Sequence, residues 1–332
     1  MNLIARALGR NTPPNNGGKK HINLALQGGG AHGAFTWGVL DDLLHDGRIE
    51  IEGISGTSAG AVNAVMVADG LIRGGPEEAR KRLAEFWRAA SRDGDMSKLN
   101  RVVADRLFSL IPIAVSPFKP WIDAMSRYLS PYDLNPLNIN PLKDLIVRFV
   151  DFDAVKKSGM PLFIAATNVH TGRLRVFPCD KIDADAVMAS AALPYVFKAV
   201  EIEGVPYWDG GYTANPPIYP FFRTTTTEDV LVVQINPVLR ASTPQTSQAI
   251  VNRINVHRVD LGFAGRKLTA ESRLNTDFDF FETLHRAGRR AGRRFLDRHF
   301  DDIGVRSTID LREEMRAERD ETMPAGVDRL SK

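Results

Sequence analysis

Two hydrophobic periods alternate along the first part of the chain. From His21 to Gln27 most interior positions are apolar, as in a buried strand, and the glycine-rich run Gly28 to Gly33 closes it. Phe35, Val39, Leu40, Leu43 and Leu44 then recur on one helical face. Ile49 to Ile54 predicts a second strand, and Ala61 to Val67 a second buried helix. Pro76 to Arg88 is amphipathic. Proline and two glutamates open it, as a helix N-terminus prefers, and Ala79, Leu83, Phe86 and Trp87 form its buried stripe. Strands that end in glycines and alternate with helices predict a parallel sheet covered by helices.

The pattern breaks over residues 92–142, where Pro112, Pro117, Pro120, Pro131, Pro136 and Pro141 are scattered among large apolar residues such as Phe108, Phe118, Trp121 and Ile122. This stretch reads equally as a cap or substrate wall and as an irregular packed connection. Regular structure resumes with a core strand from Leu162 to Thr167 and a half-exposed one from Gly172 to Phe177. Asp183 to Leu193 predicts a helix of small residues stopped at Pro194, and Ala199 to Trp208 a hairpin. Asp229 to Ile235 is the last strong strand, and the sequence beyond it reads as helical and charged. The chain therefore divides into a leader over 1–20, an α/β domain over 21–237 with 92–142 as a candidate cap insertion, and a helical, charged C-terminal extension over 238–332. The expected fold is a three-layer α/β sandwich with a mostly parallel central sheet.

Composition narrows the function little. The apolar fraction of 43% supports a sizeable core, and a net charge of +3 gives no reason to expect a nucleic-acid partner. The single cysteine, Cys179, has no internal partner for a disulfide and fits a reducing compartment. The N-terminus lacks the apolar run of a secretion signal, and no stretch is apolar for the ~20 residues of a spanning helix. A cytoplasmic location is the expectation, with peripheral membrane contact left open.

The chemistry gathers at Gly56-Thr57-Ser58-Ala59-Gly60, between the second strand and its helix. A serine on such a sharp strand-to-helix turn stands clear of the sheet, and side chains at Gly56 and Gly60 would collide with the flanking elements. The helix N-terminus behind it favours negative charge. Gly28, Gly29 and Gly30 can aim several amides at one point and so form an oxyanion hole. Gly28, Gly30 and Gly33 also match a dinucleotide-binding Gly-x-Gly-x-x-Gly, with Glu50 and Glu52 near the required acidic spacing. The serine turn on the next strand is foreign to that reading, which stays as the lesser alternative.

A serine hydroxyl needs a base. None of the seven histidines sits in a context that marks it; His170, at the end of a core strand, is the best placed. Asp209, between Trp208 and the glycines Gly210 and Gly211, is stronger, because partial shielding would raise its proton affinity. Taken in order, Gly28 to Gly33, Gly56 to Gly60 and Asp209-Gly210-Gly211 resemble the patatin-like phospholipase family. The small-residue stretch Ala189 to Pro194 resembles a further block of that family.

The resemblance spans about residues 22–236 and implies a Ser-Asp dyad without histidine. Ser58 matches the nucleophile, Asp209 the proton acceptor, and the backbone of Gly28 to Gly30 the oxyanion hole. It implies a lipid ester substrate and no cofactor or metal. The family usually carries arginine or lysine before the last glycine of the first motif, where this chain has His32. Phospholipids, neutral lipids and a storage polyester are all chemically compatible substrates. Finally, Leu284 to Phe300 is strongly basic and amphipathic. It can dock on the core by its narrow apolar face, the preferred reading, or lie on anionic lipid.

Overall fold

A computed structural model describes residues 18–91, 140–194, 197–235, 255–261, 268 and 271–309. The expected cap lies outside the described residues except for 140–142, as do residues 1–17 of the leader. The sheet elements are β1 (Lys20–Leu26), β2 (Ile49–Gly56), β3 (Leu162–Asn168), β4 (Leu174–Pro178), β5 (Val200–Ile202), β6 (Val205–Asp209), β7 (Asp229–Gln234) and β8 (Asn255–Asp260). The helices are α1 (Gly33–Asp46), α2 (Ala59–Ala89), α3 (Pro141–Phe149), α4 (Phe152–Lys157), α5 (Ala184–Ala191), α6 (Phe221–Thr224) and α7 (Phe278–His299).

The strand order is β5-β6-β3-β2-β1-β7-β8, with β4 pairing β3 off that path. β1, β2, β3, β7 and β8 run parallel, while β4 and β6 run against β3. Alternating side chains supply two cores. Ile22, Leu24 and Leu26 of β1 join Ile164, Leu231 and Val233 beneath α1, α2 and α7. Ala25, Phe163 and Val230 face the other way, against Phe221 of α6. Helices thus cover both sides of a mostly parallel sheet, in three layers, as the periodicity predicts.

The two helices expected after the serine turn are halves of α2, broken at Gly74 and Gly75. Gly75, at φ 76°, takes a conformation that disfavours side chains, and Pro76 restarts the helix. Beyond β7 the structure differs from the all-helical expectation. β8 extends the sheet in parallel register with β7. Its buried His257 hides the strand signal, because a polar residue fills a core position; Asp229 Oδ1 at 2.8 Å meets its Nε2.

The basic segment forms α7, and its apolar face, including Phe281, Leu284, Phe295 and Leu296, is buried. Each such side chain contributes about 2 kcal/mol on burial. Glycine inside a helix weakens it, yet Gly288 and Gly292 let this one pack. A Cβ on Gly288 would run into the Phe35 carbonyl oxygen, and one on Gly38 of α1 into that of His285. Two helices meet backbone to backbone where neither carries a side chain. No helix among the described residues is long and apolar enough to cross a membrane.

Candidate active site

The register of β3 explains how distant residues meet. β4 pairs with β3 along Phe163 to Thr167 and so fills one of its edges. β2 and β6 must therefore share the other edge, end to end. β2 pairs as far as Gly56 opposite Ile164, and β6 takes over with Asp209 opposite Ala166. The point where β2 leaves the sheet is thus the point where β6 delivers its aspartate. It lies at the carboxyl ends of the parallel strands, beside β1, from which the chain's connections lead off in both directions. Crevices at such positions are where open α/β sheets bind ligands.

Ser58 sits on the turn between β2 and α2 with φ 54° and ψ −123°. That backbone is costly for a residue with a side chain, by roughly 1–3 kcal/mol, and needs outside support. The Ser58 amide donates to Ser190 Oγ at 2.9 Å. The Thr57 amide donates to the Leu26 carbonyl, and its hydroxyl to the Ala214 carbonyl at 2.9 Å. A Cβ on Gly60 would run into the Leu26 carbonyl oxygen, and one on Gly56 would stand 2.5 Å from the Gly60 carbonyl oxygen. Both glycines are needed to bring β1, β2 and α2 this close.

Asp209 is 4% exposed, and the Ser58 side chain lies close enough to its carboxylate to favour the ionised form. The Gly211 amide donates to Oδ1 at 2.7 Å. The Asp209 amide donates to the Ala192 carbonyl, and its own carbonyl accepts from Thr167 Oγ1 at 2.9 Å. Burial pushes the carboxyl above its ordinary value, while the Gly211 amide, the Ser58 hydroxyl and the Arg273 charge pull the other way without cancelling it. Gly210 packs against the Ala165 carbonyl, where no side chain fits. The end of α5 thus holds both partners: Ser190 fastens Ser58, and Ala192 fastens Asp209.

The glycine loop lies against this pair. A Cβ on Gly28 would stand 2.6 Å from Ser58 Cβ, and one on Gly33 would stand 2.7 Å from Ala59 Cβ. Gly29 and Gly30 are partly exposed, whereas Gly28 is buried. The Gly28 amide donates to Asn215 Oδ1 at 2.6 Å, and Asn215 Nδ2 donates back to the Gly28 carbonyl at 3.3 Å. Of the three loop amides read as oxyanion donors, that of Gly28 is committed to Asn215.

His32 is buried, with Nε2 2.7 Å from Ser272 Oγ; burial, then the Arg273 charge, holds it down to about 4. His170 is exposed in the turn after β3. Glu50 and Glu52 stand near the start of β2, at the opposite end of the sheet from the glycine loop, and Glu52 accepts from the Thr226 and Thr227 amides. A ribose held at Gly28 to Gly33 would not meet them. Among the described residues no group of three or more His, Cys, Asp or Glu could hold a metal.

Sequence reasoning passed over Ser190, Asn215 and the segment around Arg273. Ser190 carries a faint signal, as the one hydroxyl among the alanines ending α5. Asn215 and Arg273 carry none, since their partners are set by tertiary contacts.

A family model described as Patatin-like phospholipase matches residues 24–222, more than half of the chain. An uncharacterized protein, R571, of Acanthamoeba polyphaga mimivirus is 29% identical in an alignment of 215 positions that covers 60% of this chain. The chain spans 61% of that relative's length. Among solved structures, VipD from Legionella pneumophila is similar at 14% identity and a TM-score of 0.36, over 82% of this chain and 67% of that one. ExoU in its heterodimeric complex with SpcU, from the type III secretion system of Pseudomonas aeruginosa, is similar at 16% identity and a TM-score of 0.33, over 84% and 52% of the two chains.

Proposed function

Because the chain belongs to the patatin-like phospholipase family, we propose that it is a serine hydrolase that cleaves carboxylic esters of lipids through a Ser58–Asp209 dyad. The observation that carries this reading is the sharing of one β3 edge by β2 and β6, which sets the Ser58 side chain against a buried carboxylate whose proton affinity burial has raised. A base of raised pKa takes a proton from a hydroxyl more readily than an ordinary carboxylate does.

The chemistry follows in two halves. Ser58 Oγ attacks the ester carbonyl carbon while Asp209 takes the hydroxyl proton. The negative charge on the carbonyl oxygen is met by backbone amides of the glycine loop, Gly29 and Gly30, and by the Ala59 amide at the N-terminus of α2. Collapse of the tetrahedral species breaks the ester C–O bond. The leaving alcohol departs with the proton from Asp209, and the acyl group stays on Ser58. Water then gives a proton to Asp209 and attacks the acyl carbon. Collapse of the second intermediate releases the fatty acid and returns the proton to Ser58 Oγ. The strained backbone at Ser58 keeps the hydroxyl fixed through both halves, so little reorganisation is needed at the moment of reaction.

Contact with an anionic lipid surface belongs to the same proposal. Arg286, Arg290, Arg294 and Arg298 are exposed along α7, and such a basic face suits anionic headgroups. The test is hydrolysis of a panel of phospholipid, lysophospholipid and neutral ester lipids by wild type, Ser58→Ala and Asp209→Ala. Labelling by a fluorophosphonate probe is measured alongside. Wild type should turn over at least one ester and be labelled at Ser58, and both variants should be inactive while folded. Full activity in either variant would refute the dyad.

A further inference from the structure

The short turn Glu271–Leu274 lies outside the matched family region, 24–222, yet it is seated on the glycine loop. Gly30, at φ +58°, is backed so closely by Arg273 that a Cβ would run into its carbonyl oxygen and stand 3.3 Å from its Cβ. Ser272 Oγ pairs with His32 Nε2 at 2.7 Å. The His32 ring also faces Phe280 of α7, with 6.4 Å between centroids. C-terminal residues therefore enclose the loop from two directions. Neutral over most of the pH range, His32 adds no charge there, whereas the Arg273 charge reaches both His32 and Asp209.

We propose that Glu271–Leu274 is a working part of the candidate site, in which Arg273 is a positioning residue that supplies the fixed positive charge beside the Ser58–Asp209 pair and the glycine loop. This rests on the dyad reading above. The charge acts in two ways. It favours the carboxylate over the carboxylic acid at Asp209, so the base is ready at lower pH. It also attracts the negative charge that grows on the ester oxygen, within a site where solvent screens it poorly. Ser272 acts one step back, by tying the turn to His32 and so holding Arg273 in place. A segment of the charged tail would thus complete chemistry begun by motifs more than 200 residues earlier.

The test uses the full-length protein and an uncharged nitrophenyl ester, with kcat/KM followed against pH. Labelling of Ser58 by a fluorophosphonate is followed over the same range, and thermal unfolding checks that each variant is folded. Arg273→Gln should lower kcat/KM about tenfold and move the acidic limb of both profiles to higher pH, because Asp209 loses the charge that favours its ionised form. Arg273→Lys should restore the limb and most of the rate. Ser272→Ala should move the limb the same way by less. A wild-type limb in Arg273→Gln overturns the proposal whatever the rate, since lost packing lowers activity without moving a titration. If Arg273→Gln does not fold, Arg273→Met, which keeps the apolar stem, takes its place under the same criterion. Retained turnover in Ser58→Ala would instead sink the dyad itself, and is read separately.

Discussion

Asp41 and Asp209 are both nearly sealed from solvent, at 7% and 4% exposure, yet the protein drives them in opposite directions. Burial pushes each carboxyl up. At Asp41 that push is overcome by hydrogen bonds from His285 and Arg80 and by the Arg80 and Arg289 charges, which bring it down to about 2. At Asp209 the opposing groups are an amide and a hydroxyl, and Arg273 acts only through its charge, so burial wins. The company differs, and with it the chemistry each carboxylate is suited to. Arg80 Nε lies 2.6 Å from Asp41, and His285 and Arg289 each approach to 3.2 Å, so α2 and α7 are both fastened to α1. A carboxylate surrounded by cations is a staple with a poor appetite for protons. One left among backbone amides and a serine hydroxyl can take a proton and return it.

The largest expected effect breaks the comparison outright. Asp209→Ala and Ser58→Ala should each lower ester turnover by at least about 10³-fold, whereas Asp41→Asn should leave kcat of the folded protein close to wild type. Steady-state rates on one lipid ester are enough to check this. Next comes the helix contact on which the Asp41 cluster depends. Gly288→Ala places a methyl against the Phe35 carbonyl, and backbone cannot yield as a side chain can. A loss of about 3 kcal/mol is expected, read from urea unfolding.

Asp41→Asn itself should cost about 2 kcal/mol, because it strands cations that remain partly in water. The folded value of Asp41, about 2, lies below its ordinary 3.8. Its stabilisation is therefore complete above about pH 4 and fades as the pH falls toward 2. The gap between wild type and variant in unfolding free energy should close over that same window.

The smallest effect has the opposite sign. The folded value of Asp209 lies above its ordinary 3.8, so the penalty on its ionised form is absent at pH below about 4 and grows as the pH rises through the folded value. Asp209→Asn keeps an acceptor for the Gly211 amide and removes that penalty. It should gain on the order of 1 kcal/mol at neutral pH and nothing in acid, by calorimetry at two pH values. A destabilised Asp209→Asn at neutral pH would mean that the two carboxylates do the same work.

Much of this molecule is legible along the chain. Buried runs and helical stripes place β1, α1, β2 and the start of α2 within a residue or two, because a strand covered on both faces and a helix covered on one leave different periods in sequence. The glycines at 56 and 60 point to the serine turn for a local reason, namely that side chains there would strike the neighbouring backbone. The docking of α7 by its apolar face was legible too, but β8 and the backbone contact of α7 with α1 were not. His257 reads as polar until Asp229 is set beside it, and Gly288 and Gly292 read only as weak points in a helix until α1 is pressed against them.

The sequence by itself determined the layered α/β frame, the sharp turn that carries Ser58 and the glycine loop near it, since each depends on residues close together in the chain. Only the tertiary structure decided that Asp209 reaches Ser58, that Ser190 and Asn215 hold the loops, and that Arg273 arrives from the tail. Those contacts follow from how β2 and β6 share one edge of β3 and from how α7 docks on α1. Pairings between remote segments depend on the surfaces that folding brings together, and no local window of sequence contains both halves of such a surface.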